Sequence, residues 1–147
     1  MVLNSNTSSS NFPFFPSENE YNGKSTVREW LIDGGDPNGR EPSSGDPWWV
    51  ICIQRQWIEA VDELLASGAD PNQRRQNGEG WLHLCIQNNM PLWLVAQGFK
   101  KLKRGWWYPS EEGKTPFDFN HISPGLLQMM YARWWSDGYK NPPQKLI

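Results

Sequence analysis

Val27-Arg28-Glu29-Trp30-Leu31-Ile32-Asp33-Gly34-Gly35-Asp36-Pro37-Asn38 is answered, 34 residues on, by Val61-Asp62-Glu63-Leu64-Leu65-Ala66-Ser67-Gly68-Ala69-Asp70-Pro71-Asn72. At that offset Val27, Glu29, Leu31, Gly34, Asp36, Pro37, Asn38 and Arg40 all meet an identical residue, eight identities in fourteen positions. A second comparison, at an offset of 33, matches Gly45, Trp48, Cys52, Ile53 and Gln54 with Gly78, Trp81, Cys85, Ile86 and Gln87. A third start, Gly113-Lys114-Thr115-Pro116-Phe117-Asp118, follows 35 residues after Gly78. Self-similarity at a fixed period of this size is the signature of a repeat architecture, in which each unit buries its apolar face against the next.

Each period reads as two short helices and a loop. Pro47 to Arg55 carries Trp48, Trp49, Ile51, Cys52 and Ile53, an apolar first helix. Trp57 to Ala66 places Trp57, Val61, Leu64 and Leu65 on one stripe of a second helix. Gly68 ends it, because glycine accepts the left-handed conformation of a helix C-terminus, and Pro71 cannot continue it. The next period repeats the scheme with Trp81, Leu82, Leu84, Cys85 and Ile86, then Leu92, Trp93, Leu94 and Val95.

These residues resemble the ankyrin repeat. That family runs Gly-x-Thr-Pro-Leu-His, apolar small residues, a second helix with Leu-Leu, and Gly-Ala-Asp-x-Asn. Leu64 to Asn72 is similar to the second half; Gly78-Glu79-Gly80-Trp81-Leu82-His83 keeps Leu-His of the first, and Gly113-Lys114-Thr115-Pro116 keeps Thr-Pro. The resemblance covers about residues 25–135. It implies an all-α solenoid of helix-turn-helix units with extended loops: a half-repeat over 25–44, repeats over 45–77, 78–112 and 113–137, and a C-terminal tail over 138–147. The departures are Gly98 to Tyr108, a longer loop in place of Gly-Ala-Asp-x-Asn, and the bulky Trp48-Trp49 pair. Leu126, Leu127, Met130, Tyr131, Trp134 and Trp135 make an apolar last helix that seals the stack.

Composition agrees with one domain of 147 residues. Apolar residues are 37% and mean hydropathy is −0.71, offset by 10 Trp, 6 Phe and 4 Tyr. Residues 1–24, rich in Ser, Asn and Pro, read as a flexible tail, with Phe12-Pro13-Phe14-Phe15 docking as a lid over the first ordered element. No apolar run is long enough for a membrane span, and Met1 to Ser5 shows no basic or apolar start of a secretory signal. Basic and acidic residues number 14 and 16, which argues against a bulk polyanion binder. Two cysteines exclude a disulfide scaffold and a cysteine-only metal site. A soluble, monomeric, cytoplasmic protein without cofactor or metal is expected, or one delivered into a host cytoplasm if it is an effector.

No catalytic constellation assembles. Glu112-Gly113-Lys114-Thr115 lacks the glycine a phosphate loop needs five positions before its final Gly, since position 108 is Tyr. It reads instead as a helix start, Thr115 the cap and Pro116 the first position. His83 stands where the family's structural histidine bonds a neighbouring turn, and His121 reads as structural or solvated. Cys52 and Cys85 take the family's alanine positions as small buried residues.

The sharpest local feature is Lys100-Lys101-Leu102-Lys103-Arg104-Gly105-Trp106-Trp107-Tyr108. It reads in three ways: a solvated finger loop with one Trp buried against the next repeat, a protein hot spot, or a grip on nucleic acid, phosphates on the cations and bases on the rings. Arg40, Arg74 and Arg75 fall at equivalent loop tips, a row of cations suited to an acidic partner. The expected partner-binding residues are Arg40, Arg74, Arg75, Lys101, Arg104, Trp106, Trp107 and Tyr108. Gln54 and Asn88, on the groove side of the first helices, are read equally as contacts or as solvated. The function expected is non-catalytic docking on one protein to inhibit, neutralise or localise it, as a microbial inhibitor, immunity protein or effector would; the alternative is nucleic-acid binding by residues 100–108.

Overall fold

A computed structural model describes residues 24–143. The expected tail and the Phe12–Phe15 lid lie outside the described residues. The order is α1 (Lys24–Ile32), α2 (Trp48–Gln54), α3 (Ile58–Ala66), α4 (Trp81–Gln87), α5 (Leu92–Phe99), 3-10 turns at Arg104–Trp107 and Pro116–Asp118, and α6 (Pro124–Ser136). Among the described residues there is no strand; one isolated antiparallel bridge joins Arg40 and Pro47. The expectation of an all-α chain holds.

α1, α3 and α6 end alike because glycine lets them, whereas α5 runs into Lys100 in a right-handed conformation. The N–H groups of Asp33, Gly34 and Gly35 return to Glu29, Leu31 and Trp30, and those of Ser67, Gly68 and Ala69 to the Glu63, Leu65 and Leu64 carbonyls. Asp137, Gly138 and Tyr139 make the same set on Arg133, Trp135 and Trp134. Gly34, Gly68 and Gly138 have φ of 100°, 101° and 90°, the left-handed residue such caps require. First helices end on a similar device: Gln56 and Asn89 take φ of 62° and 54°, with Trp57 and Met90 donating back to Cys52 and Cys85.

Packing follows the period. α1, α3 and α5 stack in one layer and α2 against α4 in another, each α2–α3 and α4–α5 pair closing a unit. Cys52 and Cys85 are buried at equivalent places, both thiols pushed up by burial. Trp49 meets Trp81 edge-on at 5.1 Å, and their indoles donate to the Asp70 and Val95 carbonyls at 3.2 and 3.1 Å. The large Trp81 ring fits only because position 98 is glycine: a Cβ there would stand 2.3 Å from its Cε2.

In the last unit Thr115 caps the turn as expected. Its hydroxyl accepts the Phe117 N–H at 3.2 Å, and Asp118 accepts the Thr115 N–H at 2.8 Å. The first helix, however, is one 3-10 turn, Phe119 already being extended. Phe117, Trp106, Phe99 and Trp134 fill the space with edge-on and tilted ring pairs between 5.2 and 6.5 Å. Trp134 is buried at 6% exposure and Trp135 exposed at 55%. Residues beyond 137 pack back: Tyr139 lies 4.7 Å from the Trp134 ring, and the Tyr131 hydroxyl donates to the Pro143 carbonyl.

Candidate interaction edge

Two ladders of side chains hold the loops in register. The Asn38 amide accepts the Asp70 N–H at 2.7 Å and donates to the Gly68 carbonyl at 3.1 Å. Asn72, 34 residues on, accepts the Lys103 N–H at 2.7 Å and donates to the Lys101 carbonyl at 3.0 Å. The second ladder is arginine. Arg40 donates to the Gly45 carbonyl of its own loop at 2.8 Å and to the Arg74 carbonyl of the next at 3.1 Å. Arg74 donates to Gly78 of its own loop, and to Gly105 at 2.9 Å and Tyr108 at 3.3 Å of the next. Arginine side chains thus join each of these loops to the next.

This places the expected site residues unequally. Arg74 is half-buried, its guanidinium spent on three carbonyls; burial pushes its pKa down. Arg75 is ion-paired with Asp46 at 3.0 Å and Glu79 at 2.9 Å. Trp106 is in the core, 4% exposed, its indole donating to Asp137 at 2.9 Å. Trp107 is half-buried against Trp134 and Tyr139. Arg40, Lys101, Arg104 and Tyr108 are exposed. Arg104 lies over the Tyr139 ring at 4.8 Å, and Lys101 reaches the Leu65 carbonyl at 3.4 Å. Gln54 is exposed, and Asn88, half-buried, donates to Leu84 at 2.9 Å; both sit at the far ends of α2 and α4, away from the loops.

The charges at the edge are lopsided. Arg28, Arg75 and Arg133 each have a carboxylate partner. Among the described residues none pairs with Lys100, Lys101, Lys103 or Arg104. Between the second and third loops lies a cleft of about 230 Å³, walled by Pro71, Asn72, Arg74, Lys103, Trp106 and Tyr108 among others. Sequence reasoning missed Asn72 and Lys103. The Asn38–Asn72 identity at an offset of 34 was the available signal for the first; nothing singled out Lys103 from its neighbours.

The histidines are structural where the sequence placed them. His83 accepts the Gly80 N–H at Nδ1, 3.1 Å, and its Nε2 donates to the Lys114 carbonyl at 2.7 Å; burial holds its pKa down. His121 Nε2 reaches the Ile86 carbonyl at 2.9 Å. Among the described residues no group of three His, Cys, Asp or Glu side chains could hold a metal ion, and no helix is long and apolar enough to cross a membrane.

No protein-family model matches the chain. It is 26% identical over 113 residues to inversin of Gallus gallus, an ankyrin-repeat protein, covering 73% of this chain and 10% of that one. The chain thus spans about a tenth of the length of the curated relative it matches. The likeness agrees with the ankyrin pattern in Leu64 to Asn72.

Proposed function

We propose that the chain is an ankyrin-type stack, a half-repeat over 25–44 and units over 45–77, 78–112 and 113–137, that binds one partner protein along its loop edge without catalysing a reaction. The observation that carries this is the arginine ladder: Arg40 on the Arg74 carbonyl and Arg74 on the Tyr108 carbonyl align three loops in one row. That row ends in cations with no carboxylate partner among the described residues and an exposed Tyr108. Rings and guanidinium groups presented together are common interface anchors. The likeness to an ankyrin-repeat protein supports the same reading. Docking would change the activity or location of that partner. On the row, the exposed Arg40, Lys101, Arg104 and Tyr108 are the proposed contacts. Trp106 and Arg74 serve by shaping the loops that present them.

The test is capture of partners from the source cell by the full chain and by Lys101→Gln/Arg104→Gln/Tyr108→Ala, followed by titration of the purified captured protein. Retention by wild type and loss of about tenfold or more in affinity in the variant, with unchanged melting, is expected. Full affinity in the variant would move the site to the helical face at Gln54 and Asn88. Captured material that is nucleic acid would overturn the reading.

A further inference from the structure

Arg74 carries a full charge in a setting that does not neutralise it. Its guanidinium is half-buried and bonded to the carbonyls of Gly78, Gly105 and Tyr108, and none of these is an anion. It lines the cleft between the second and third loops, whose other charged wall residue is the exposed Lys103. Asp70, next to the wall residue Pro71 in sequence, is turned to the Asn72 main-chain and amide N–H groups, both at 2.9 Å, and is not part of the cleft wall. Lys100, Lys101 and Arg104 surround the mouth in sequence without a carboxylate partner among the described residues. Tyr108 stands exposed at the rim, its hydroxyl without a hydrogen-bond partner among the described residues. At about 230 Å³ the cleft falls below the roughly 300–1,000 Å³ of small-molecule and cofactor sites. It is suited to one inserted side chain.

We infer that this cleft anchors a carboxylate side chain of an acidic protein segment, held between the Lys103 ammonium and the Arg74 guanidinium with the Tyr108 hydroxyl donating from the rim. The inference rests on the partner-binding reading and names the chemistry of the contact. Charge complementarity selects it: two cations face one small space that supplies no anion. A carboxylate placed there compensates both, whereas a cationic or purely apolar group leaves them uncompensated.

The test is fluorescence anisotropy of a labelled poly-glutamate peptide titrated with the full chain at low salt. Saturable binding is expected, weakening steeply as salt is added. Lys103→Gln should lower the affinity about tenfold, while Lys114→Gln, which removes the same charge from a side chain that lies over Phe119 outside the cleft, leaves it unchanged. Lys103 is exposed, so its variant keeps the fold, which circular dichroism checks. Equal effects of the two variants, absence of saturation, or tighter binding of a labelled oligo-dT than of poly-glutamate would each overturn the inference. The two readings separate cleanly. If poly-glutamate binds through Lys103 but the captured partner keeps full affinity for the Lys101→Gln/Arg104→Gln/Tyr108→Ala variant, the cleft stands and the partner edge falls. If that variant loses the partner but poly-glutamate shows no saturable binding to the wild-type chain, the edge stands and the cleft falls.

Discussion

The Arg40 guanidinium donates to the main-chain carbonyl of Arg74 at 3.1 Å, and Arg74 repeats that bond on Tyr108, 34 residues further along, at 3.3 Å. One residue type at one position of the period thus ties each loop to the next. The two bridges differ in burial, and that decides their worth. Arg74 is half-buried and serves three carbonyls; Arg40 is exposed and serves two. Charge-assisted bonds of this kind are worth about 1.5–3 kcal/mol when shielded, and water substitutes for much of that at an exposed site. Arg74→Ala should therefore lower the unfolding free energy by about 2 kcal/mol in urea titrations, and Arg40→Ala by under about 1 kcal/mol. Equal losses would mean that the ladder does not carry the loop register.

Position 98 tests the fit of Trp81. Alanine is better than glycine in a helix by about 1 kcal/mol, so propensity alone predicts a more stable Gly98→Ala protein. Packing predicts the reverse. The added carbon would stand 2.3 Å from Cε2 and 2.5 Å from Cζ2 of a ring that is itself buried and bonded to the Val95 carbonyl. Over-packing of this kind costs about 1–3 kcal/mol. A net loss of about 1–2 kcal/mol is expected in thermal unfolding, and a gain would show that α4 and α5 separate freely.

Much of this was legible beforehand, and the misses have physical causes. Gly34 and Gly68 were readable because a left-handed cap demands glycine, and Cys52 and Cys85 because close helices demand small side chains. The third cap at Gly138 is harder to read: against Leu64 to Gly68 the glycine alone recurs, and against Trp30 to Gly34 the match is Trp134, Asp137 and Gly138 with Trp135 in place of leucine. Which ring of Trp106, Trp107 and Tyr108 turns inward is decided by the 3-10 turn at Arg104–Trp107, where the backbone points Trp106 at Phe99 and Phe117. Composition cannot show that. Nor can it show that Arg74 is spent on carbonyls, since carbonyls belong to every residue.

His83 makes stability depend on pH. Its pKa is lowered in the folded protein, first by burial and then by the Arg74 charge, against the Lys114 carbonyl and the acidic side chains that raise it. The unfolded chain therefore binds a proton on this ring at a higher pH than the folded one. Stability is full above the unfolded value near 6.5 and falls as pH drops below it, by up to about 1.4 kcal/mol per pH unit until the folded value is reached. Protonation also removes the Nδ1 acceptor of the Gly80 N–H. Glu41 does not confuse this window, because bonds from Ser44 and Ser43 lower its pKa to about 2. Urea titrations between about pH 7.5 and pH 5.5 should show wild type losing more stability than His83→Gln. Parallel curves would remove His83 as the source.

Adjacent tryptophans at the end of α6 separate burial from composition. Trp134 is 6% exposed and meets Trp107, Trp106, Phe117 and Tyr139. Trp135 is 55% exposed. Truncating a buried tryptophan costs about 3–5 kcal/mol through lost transfer energy and the cavity left behind. The buried Nε1 of Trp134, without a partner among the described residues, trims that figure, since removing an unsatisfied donor returns some of its desolvation cost. Trp134→Ala should therefore lose about 3 kcal/mol, and Trp135→Ala under about 1 kcal/mol. Because Trp107 rests on Trp134 and the Trp106 indole is bonded to Asp137 of the following cap, loosening α6 should also release the turn that presents Tyr108. Amide hydrogen exchange across residues 100–108 should accelerate in Trp134→Ala and stay at the wild-type rate in Trp135→Ala. Unchanged exchange in both would uncouple the last helix from the loop edge and leave the stack sealed by other residues.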